Sequence, residues 1–276
     1  MRKECLEKYR SYLRESEKTP ATLKKYLSDV AAFLLWLGKG RMKKERVVAY
    51  KEHLCARYAP TSVNAALASL NSFFSFLGRE DLQVKSLKIQ KSPFLSPERE
   101  ISKREYERLL TAAKRRGNER LYLLMQTICA TGIRVSELCF ITAEAVRSGR
   151  ACVSAKGKHR TIFLPKGLCK LLKEYLIRQN RKDGAVFVTR AGKPLDRSNV
   201  WSDMKALCAA AGVDKHKVFP HNLRHLFART YYSSQKDIVR LADILGHTSI
   251  DTTRIYTMES GEIHRRQIEK LGLLCC

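Results

Sequence analysis

Apolar positions in the first 77 residues recur at helical spacing in two clear runs. Leu23, Tyr26, Val30, Phe33, Leu34 and Leu37 share one face. Thr19 is placed to cap this helix, Pro20 fits its first position, and Gly38 ends it. In the second run Pro60 opens the helix, Val63, Leu67, Leu70, Phe73, Phe74 and Leu77 form the stripe, and Gly78 stops it. Weaker patterns near 3–15 and 42–57 complete a predicted four-helix bundle over 1–78. The periodicity lapses in "REDLQVKSLKIQKSPFLSPE" (79–98), which carries two prolines and reads as a linker.

A second pattern begins at 99. Ser102 and Glu105 have capping-box spacing, with Ile101 placed to staple against Tyr106. Helices are predicted near 102–115, 118–130, 166–178, 197–211, 221–231 and 235–245. Residues 151–165, "ACVSAKGKHRTIFLP", read as a hairpin around a Lys-Gly turn, and "AVFVT" (185–189) reads as a short strand. The predicted class is mainly α with a small β-hairpin, in two domains.

Composition narrows the function. The chain has 276 residues, 44% of them hydrophobic, enough to bury real cores. The longest apolar run, "VAAFLLWL" (30–37), is far short of the ~20 residues a membrane span needs. The charged start, "MRKECLEKYR", lacks the apolar stretch of a signal peptide. A cytoplasmic protein with no membrane partner is expected. The nine cysteines are scattered, odd in number and without a Cys-x-x-Cys pair, so reduced thiols are expected rather than disulfides. The 53 Lys and Arg against 27 Asp and Glu, a net charge of +26, point to a polyanionic partner, nucleic acid above all. On the first bundle Thr22, Lys24, Lys25, Asn64 and Asn71 lie off the apolar stripes and are candidate DNA contacts. A solvated helix face accounts for each equally well.

The second domain holds Arg134, Lys156, His221, Arg224, His247 and Tyr256 in compact local contexts. Singly, each has an ordinary explanation. Arg134 can pair with Glu137, three residues on, Lys156 can be a solvated turn lysine, and Tyr256 can be core. His221 and His225 share the four-residue spacing of paired zinc ligands, but the intervening "NLR" has no glutamate and puts a cation beside the metal. No metal and no cofactor are expected. Together the residues suit phosphoryl transfer: two arginines fork onto a phosphodiester, a histidine donates to it, and a tyrosine hydroxyl attacks.

These residues lie in "ATGIRVSEL", "AKGKHR", "PHNLRHLFAR" and "LGHTSIDTTRIYT". In order and spacing the four motifs resemble the tyrosine recombinases, or phage-type integrases, across nearly the whole chain. The resemblance implies a C-shaped DNA clamp: a helical, SAM-like core-binding domain at 1–78, a linker at 79–98, and an α+β catalytic domain at 99–276 ending in a tail helix. It implies that Arg134 and Arg224 hold the scissile phosphate and His247 hydrogen-bonds it. His221 would act in proton transfer, Lys156 as general acid, and Tyr256 as the nucleophile forming a 3′-phosphotyrosine. Glu137 would support the arginines, and His225 would pack. The hairpin "AKGKHR" is a residue shorter than the family's usual Gly-Lys-Gly-x-Lys-x-Arg, which leaves Lys158 as an alternative to Lys156. The implied activity is site-specific recombination through a Holliday junction without metal or ATP. It would proceed in a homo-tetramer that exchanges C-terminal tails cyclically, with a partner recombinase or accessory protein a further option. An Xer-like or mobile-element enzyme of a bacterial nucleoid is the implied setting. A type IB topoisomerase, sharing the covalent chemistry, and an inactive DNA-binding accessory protein are the alternatives.

Overall fold

The computed structural model describes every residue except Met1, 90–96, 156–157, 190, 248, 257–264, 266–268 and 272–276, and the side chains of 2, 3, 97, 155 and 158. Lys156, the side chain of Lys158 and most of the expected tail therefore lie outside the described residues. The chain divides into two compact units, Met1–Lys91 and Ser92–Cys276.

The first unit is a bundle of α1 (Arg2–Glu15), α2 (Pro20–Leu37), α3 (Lys44–Cys55) and α4 (Pro60–Phe76). The Thr19 side chain accepts from the Thr22 backbone N–H, and Pro20 opens α2, as the spacing predicts. The two apolar stripes meet in one core with Tyr9, Leu13, Val47 and Tyr50.

The sequence gives no hint of how the bundle holds the chain beyond it. The amide of Asn71 donates to the Val84 carbonyl (2.9 Å) and accepts from its N–H (3.0 Å). Asn64 does the same with Leu87, at 2.9 and 2.7 Å. Seven helical residues rise about 10.5 Å, and three residues of extended chain cover about 10 Å, so the two clamps match in length. Residues 84–87 are thereby stitched antiparallel to α4. Each clamp satisfies both polar groups of one backbone residue, so Asn64→Ala and Asn71→Ala are each expected to cost about 1–3 kcal/mol. Amide hydrogen exchange at Val84 and Leu87 should rise in the matching variant, and unchanged protection would contradict the clamp.

In the second unit come α5 (Lys103–Arg115), α6 (Glu119–Thr131), α7 (Ala143–Ser148), the hairpin β1 (Arg150–Ala155) and β2 (Lys158–Phe163), and α8 (Lys166–Arg178). They are followed by α9 (Arg197–Ala211), α10 (Pro220–Gln235), α11 (Ile238–Leu245) and α12 (Ile250–Arg254). The strands pair antiparallel, Arg150 opposite Phe163 through Ala155 opposite Lys158. The Ser102–Glu105 capping box forms, and Ile101 is fully buried in the core against which Tyr106 packs. Helices α6 and α10 make the central packing pair of this unit.

Three differences from the sequence reading have local causes. Residues 185–189 form no strand; Ala185 and Val188 make only isolated bridges, to Thr142 and Pro194. Thr142 is already the N-cap of α7, so the ladder stops after one rung, while the carbonyls of Ala185 and Val188 go to Arg181 and Arg120. Helix α10 runs on to Gln235, and Lys236 closes it in the left-handed region (φ 55°), so the next helix begins at Ile238. The six-residue α7 is too short to show a periodic stripe.

Candidate functional site

Helices α6 and α11 each end in a glycine in the left-handed region, Gly132 (φ 64°) and Gly246 (φ 63°). Both positions also lack space for a side chain. A Cβ on Gly132 would lie 2.5 Å from the Phe227 ring, and one on Gly246 would strike the Arg160 guanidinium. The ends of two helices, with their unpaired carbonyls and partial negative charge, are thus brought to one place.

Three arginines use those carbonyls. Arg224, from the first turns of α10, donates to Gly132 O (2.5 Å) and Leu245 O (2.7 Å). Arg160, from β2, donates to Leu245 O and to Glu137 (2.7 Å). Arg134, before the 3-10 turn Val135–Phe140, donates to Gly246 O (3.3 Å) and to the other Glu137 oxygen (3.0 Å). Two of the three guanidiniums share the one buried carboxylate and Arg224 has carbonyls alone, leaving a surplus of positive charge fixed in place. Burial first, and then the charge of Arg134, pull Arg224 down to about 10, which still leaves it a cation at neutral pH.

The histidines and the tyrosine close around this cluster. Arg224 donates to His247 Nε2 (3.0 Å), so the ring proton sits on Nδ1 and goes to Thr253 Oγ1 (2.8 Å), itself fully buried. Tyr256, 4% exposed, packs against the rings of His247 (centroids 6.0 Å apart) and His225 (5.0 Å), within reach of the Arg224 charge. Burial raises the phenol pKa, and the charges of Arg224 and Arg134 oppose that rise. His221, the second residue of α10, is exposed at a cleft of about 490 Å3 lined also by Arg134, Ser136, Arg197, Trp201 and Arg224. Burial and then neighbouring positive groups push both His221 and His247 down to about 4.

The arrangement makes a prediction about acid stability. An unfolded histidine titrates near 6.5, so the folded form takes up fewer protons between that value and 4. Stability is full above pH 6.5 and falls as pH drops toward 4. The loss expected from His247 is up to about 3 kcal/mol, with His221, being exposed, adding less. Urea titrations at pH 7 and pH 4.5 check this, and His247→Gln should flatten the dependence. Equal stability of the natural protein at the two pH values would contradict it.

Of the residues singled out in the sequence, the structure brings Arg134, Glu137, His221, Arg224, His247 and Tyr256 together, with His225 beside them. Lys156 lies outside the described residues, as does the side chain of Lys158. Thr22 bonds Thr19 (2.9 Å), Lys25 pairs with Asp29 (2.5 Å), and the amide of Asn64 is occupied by Leu87; Lys24 is exposed. Arg160, Thr253 and Glu100 were given no role from the sequence. For Arg160 the signal was available: it alternates with buried Ile162 along β2, which puts an arginine on the inward face. The seven described cysteines are free, and no helix among the described residues is long and apolar enough to cross a membrane.

A fixed cation cluster with a buried tyrosine beside it is an arrangement suited to a bound phosphodiester. Comparisons with known proteins fix the family. The sequence pattern of the phage integrase family matches residues 99–262, and that of the phage integrase N-terminal SAM-like domain matches 5–83. The chain is 30% identical over 282 residues to tyrosine recombinase XerA of Thermococcus kodakarensis, covering 98% of this chain and 96% of the relative. It is 30% identical over 259 residues to tyrosine recombinase XerD of Proteus mirabilis, covering 86% and 82%. A crystal structure of a lambda integrase tetramer bound to a Holliday junction superposes with a TM-score of 0.74 at 18% identity, over 92% of this chain and 76% of that one. The chain belongs to the phage integrase family and is an Xer-like tyrosine recombinase, an enzyme of site-specific DNA recombination. Its relatives include both archaeal and bacterial proteins, so the expected bacterial setting does not follow from them.

Proposed function

We propose that the protein cuts and rejoins DNA through a covalent 3′-phosphotyrosine on Tyr256, exchanging strands by way of a Holliday junction in a homo-tetramer. The observation that carries this reading is Tyr256 buried beside Arg224 in a cluster of three arginines and one carboxylate. Arg134 and Arg224 bind the scissile phosphate and stabilise the charge that develops on it, each worth about 3–4 kcal/mol in a preorganised site. Phosphate binding frees His247 Nε2 from Arg224, and the negative charge raises the ring's affinity for the proton it needs to donate. His221, at the cleft mouth, serves proton transfer, and Lys156 or Lys158 at the hairpin protonates the departing 5′ oxygen. Glu137 keeps Arg134 and Arg160 apart and oriented. The phosphotyrosine conserves the bond energy, so religation needs neither ATP nor a metal.

In the domain plan, residues 1–78 are a core-binding domain, 79–98 a linker and 99–276 the catalytic domain, with Thr22, Lys24 and Lys25 facing the phosphates. The decisive test uses nicked suicide duplexes made from sequences that the protein itself selects out of a random library. A covalent adduct lost in Tyr256→Phe supports the reading. Adduct-independent cleavage, or relaxation of supercoiled DNA by dilute enzyme without paired sites, counts against it. Removing 270–276 is expected to lower recombination at paired sites more than single-site binding, because the tail would dock on the next protomer of a cyclic tetramer. Equal losses, or none, would remove that docking.

A further inference from the structure

Tyr256 needs a group to take its proton, and the histidines around it differ in surroundings. His247 Nε2 is occupied by Arg224, and its Nδ1 by Thr253. His221 lies near Arg224, Arg134 and Arg197; it feels the Glu100 charge but makes no hydrogen bond to that carboxylate among the described residues. His225 is different. Its Nδ1 meets Oε1 of Glu100 at 3.3 Å, and the other Glu100 oxygen meets Arg229 at 2.9 Å. The Glu100 side chain is 11% exposed and that of His225 19%. Burial works against the Glu100 charge, but His225 and Arg229 outweigh it and the carboxyl stays ionised. A carboxylate only accepts, so Nδ1 of His225 carries the hydrogen.

That leaves Nε2 of His225, which is buried and has no hydrogen-bond partner among the described residues. A buried polar atom left unpaired costs about 1–3 kcal/mol and calls for an explanation. The ring stands edge-to-face against Tyr256 at 80° and 5.0 Å, and against His221 at 65° and 4.5 Å. Glu100 comes from the chain ahead of α5, His221, His225 and Arg229 from one face of α10, and Tyr256 from the turn after α12.

Taking Tyr256 as the nucleophile, as the proposed function does, we infer that Glu100 and His225 form the carboxylate–imidazole pair that receives its proton. Nε2 of His225 accepts the phenolic hydrogen as the oxygen bonds to phosphorus. The phosphorus–5′-oxygen bond breaks, and the hairpin lysine protonates the departing oxygen. Glu100 is a positioning residue: it fixes the His225 tautomer and stabilises the imidazolium that forms. The arginine-crowded His221, pushed down to about 4, is a weak base by comparison. This assignment also explains why a third histidine, expected only to pack, is tethered to a buried carboxylate.

Nuclear magnetic resonance of the free protein with labelled histidines tests the pair without DNA. Neutral His225 should hold its proton on Nδ1. Glu100→Gln should weaken that tautomer preference, and Glu100→Asp should restore it. In single-turnover cleavage of the selected nicked duplexes, His225→Gln should slow adduct formation by about 10²–10⁴-fold and abolish the acid limb of the pH profile. Glu100→Gln should shift that limb to lower pH, with DNA binding unchanged in both. The inference is overturned if neutral His225 holds its proton on Nε2, if Glu100→Gln leaves the tautomer in place, or if only His221→Gln removes the limb. A natural protein that forms no adduct on Tyr256 would instead overturn the proposed function.

Discussion

Tyr256→Phe is expected to abolish the covalent protein–DNA adduct, a loss of at least about 10⁴-fold in cleavage, equivalent to roughly 5.5 kcal/mol of barrier. The ring is not in question. Phenylalanine keeps the packing against His225 and His247 and gives up only the interaction of the hydroxyl with Arg224. A bond to a charged partner is worth about 1.5–3 kcal/mol, so the variant should still fold and should bind DNA within a few-fold of the natural protein. This separation of binding from chemistry gives the experiment its force. The arginines that hold the phosphate are untouched, and only the attacking oxygen is gone. Residual adduct in Tyr256→Phe would mean that another side chain attacks, and the cation cluster would then need a different account.

The second large effect concerns Glu137. Its carboxylate, 6% exposed, accepts from the Arg134 guanidinium at 3.0 Å, from the Arg134 backbone N–H at 3.0 Å and from Arg160 at 2.7 Å. Glu137→Gln keeps the volume but removes the one negative charge among these arginines. Breaking a buried ion pair from one side costs about 3–5 kcal/mol, because the partner is left uncompensated. For a unit of this size that is a fall of roughly 10 °C in melting temperature. Cleavage should drop as well, since Arg134 and Arg160 would repel without their shared anchor. Glu144→Gln, at an exposed position on α7, is the control and should stay within about 0.5 kcal/mol. Equal melting of Glu137→Gln and the natural protein would show that the carbonyls alone hold the arginines.

Much of the architecture was legible because it is written in local pattern. The stripes of α2 and α4, the proline and threonine at their starts, and the Ser102–Glu105 box each depend on residues a few positions apart. Helix–strand ambiguity appeared where local pattern is weakest. Residues 185–189 have the composition of a strand, yet the neighbouring segment turns into α7 after one rung. The asparagine clamps went unread for a related reason. Asn64 and Asn71 look like polar residues on an open helix face, and only the return of residues 84–87 gives their amides partners.

The candidate site divides in the same way. Sequence alone determined the side chains and their chemistry: four motifs, two glycine helix ends, and the arginines, histidines and tyrosine they carry. It could do so because residue type fixes charge, nucleophilicity and turn geometry wherever the chain goes. Tertiary structure decided who holds whom. Arg224 reaches Gly132 across 92 positions, Arg134 reaches Gly246 across 112, and Glu100 reaches His225 across 125. No local periodicity encodes such pairings. They follow from packing α6, α10 and α11 so that two helix ends converge, and that convergence turns scattered cations into one preorganised cluster.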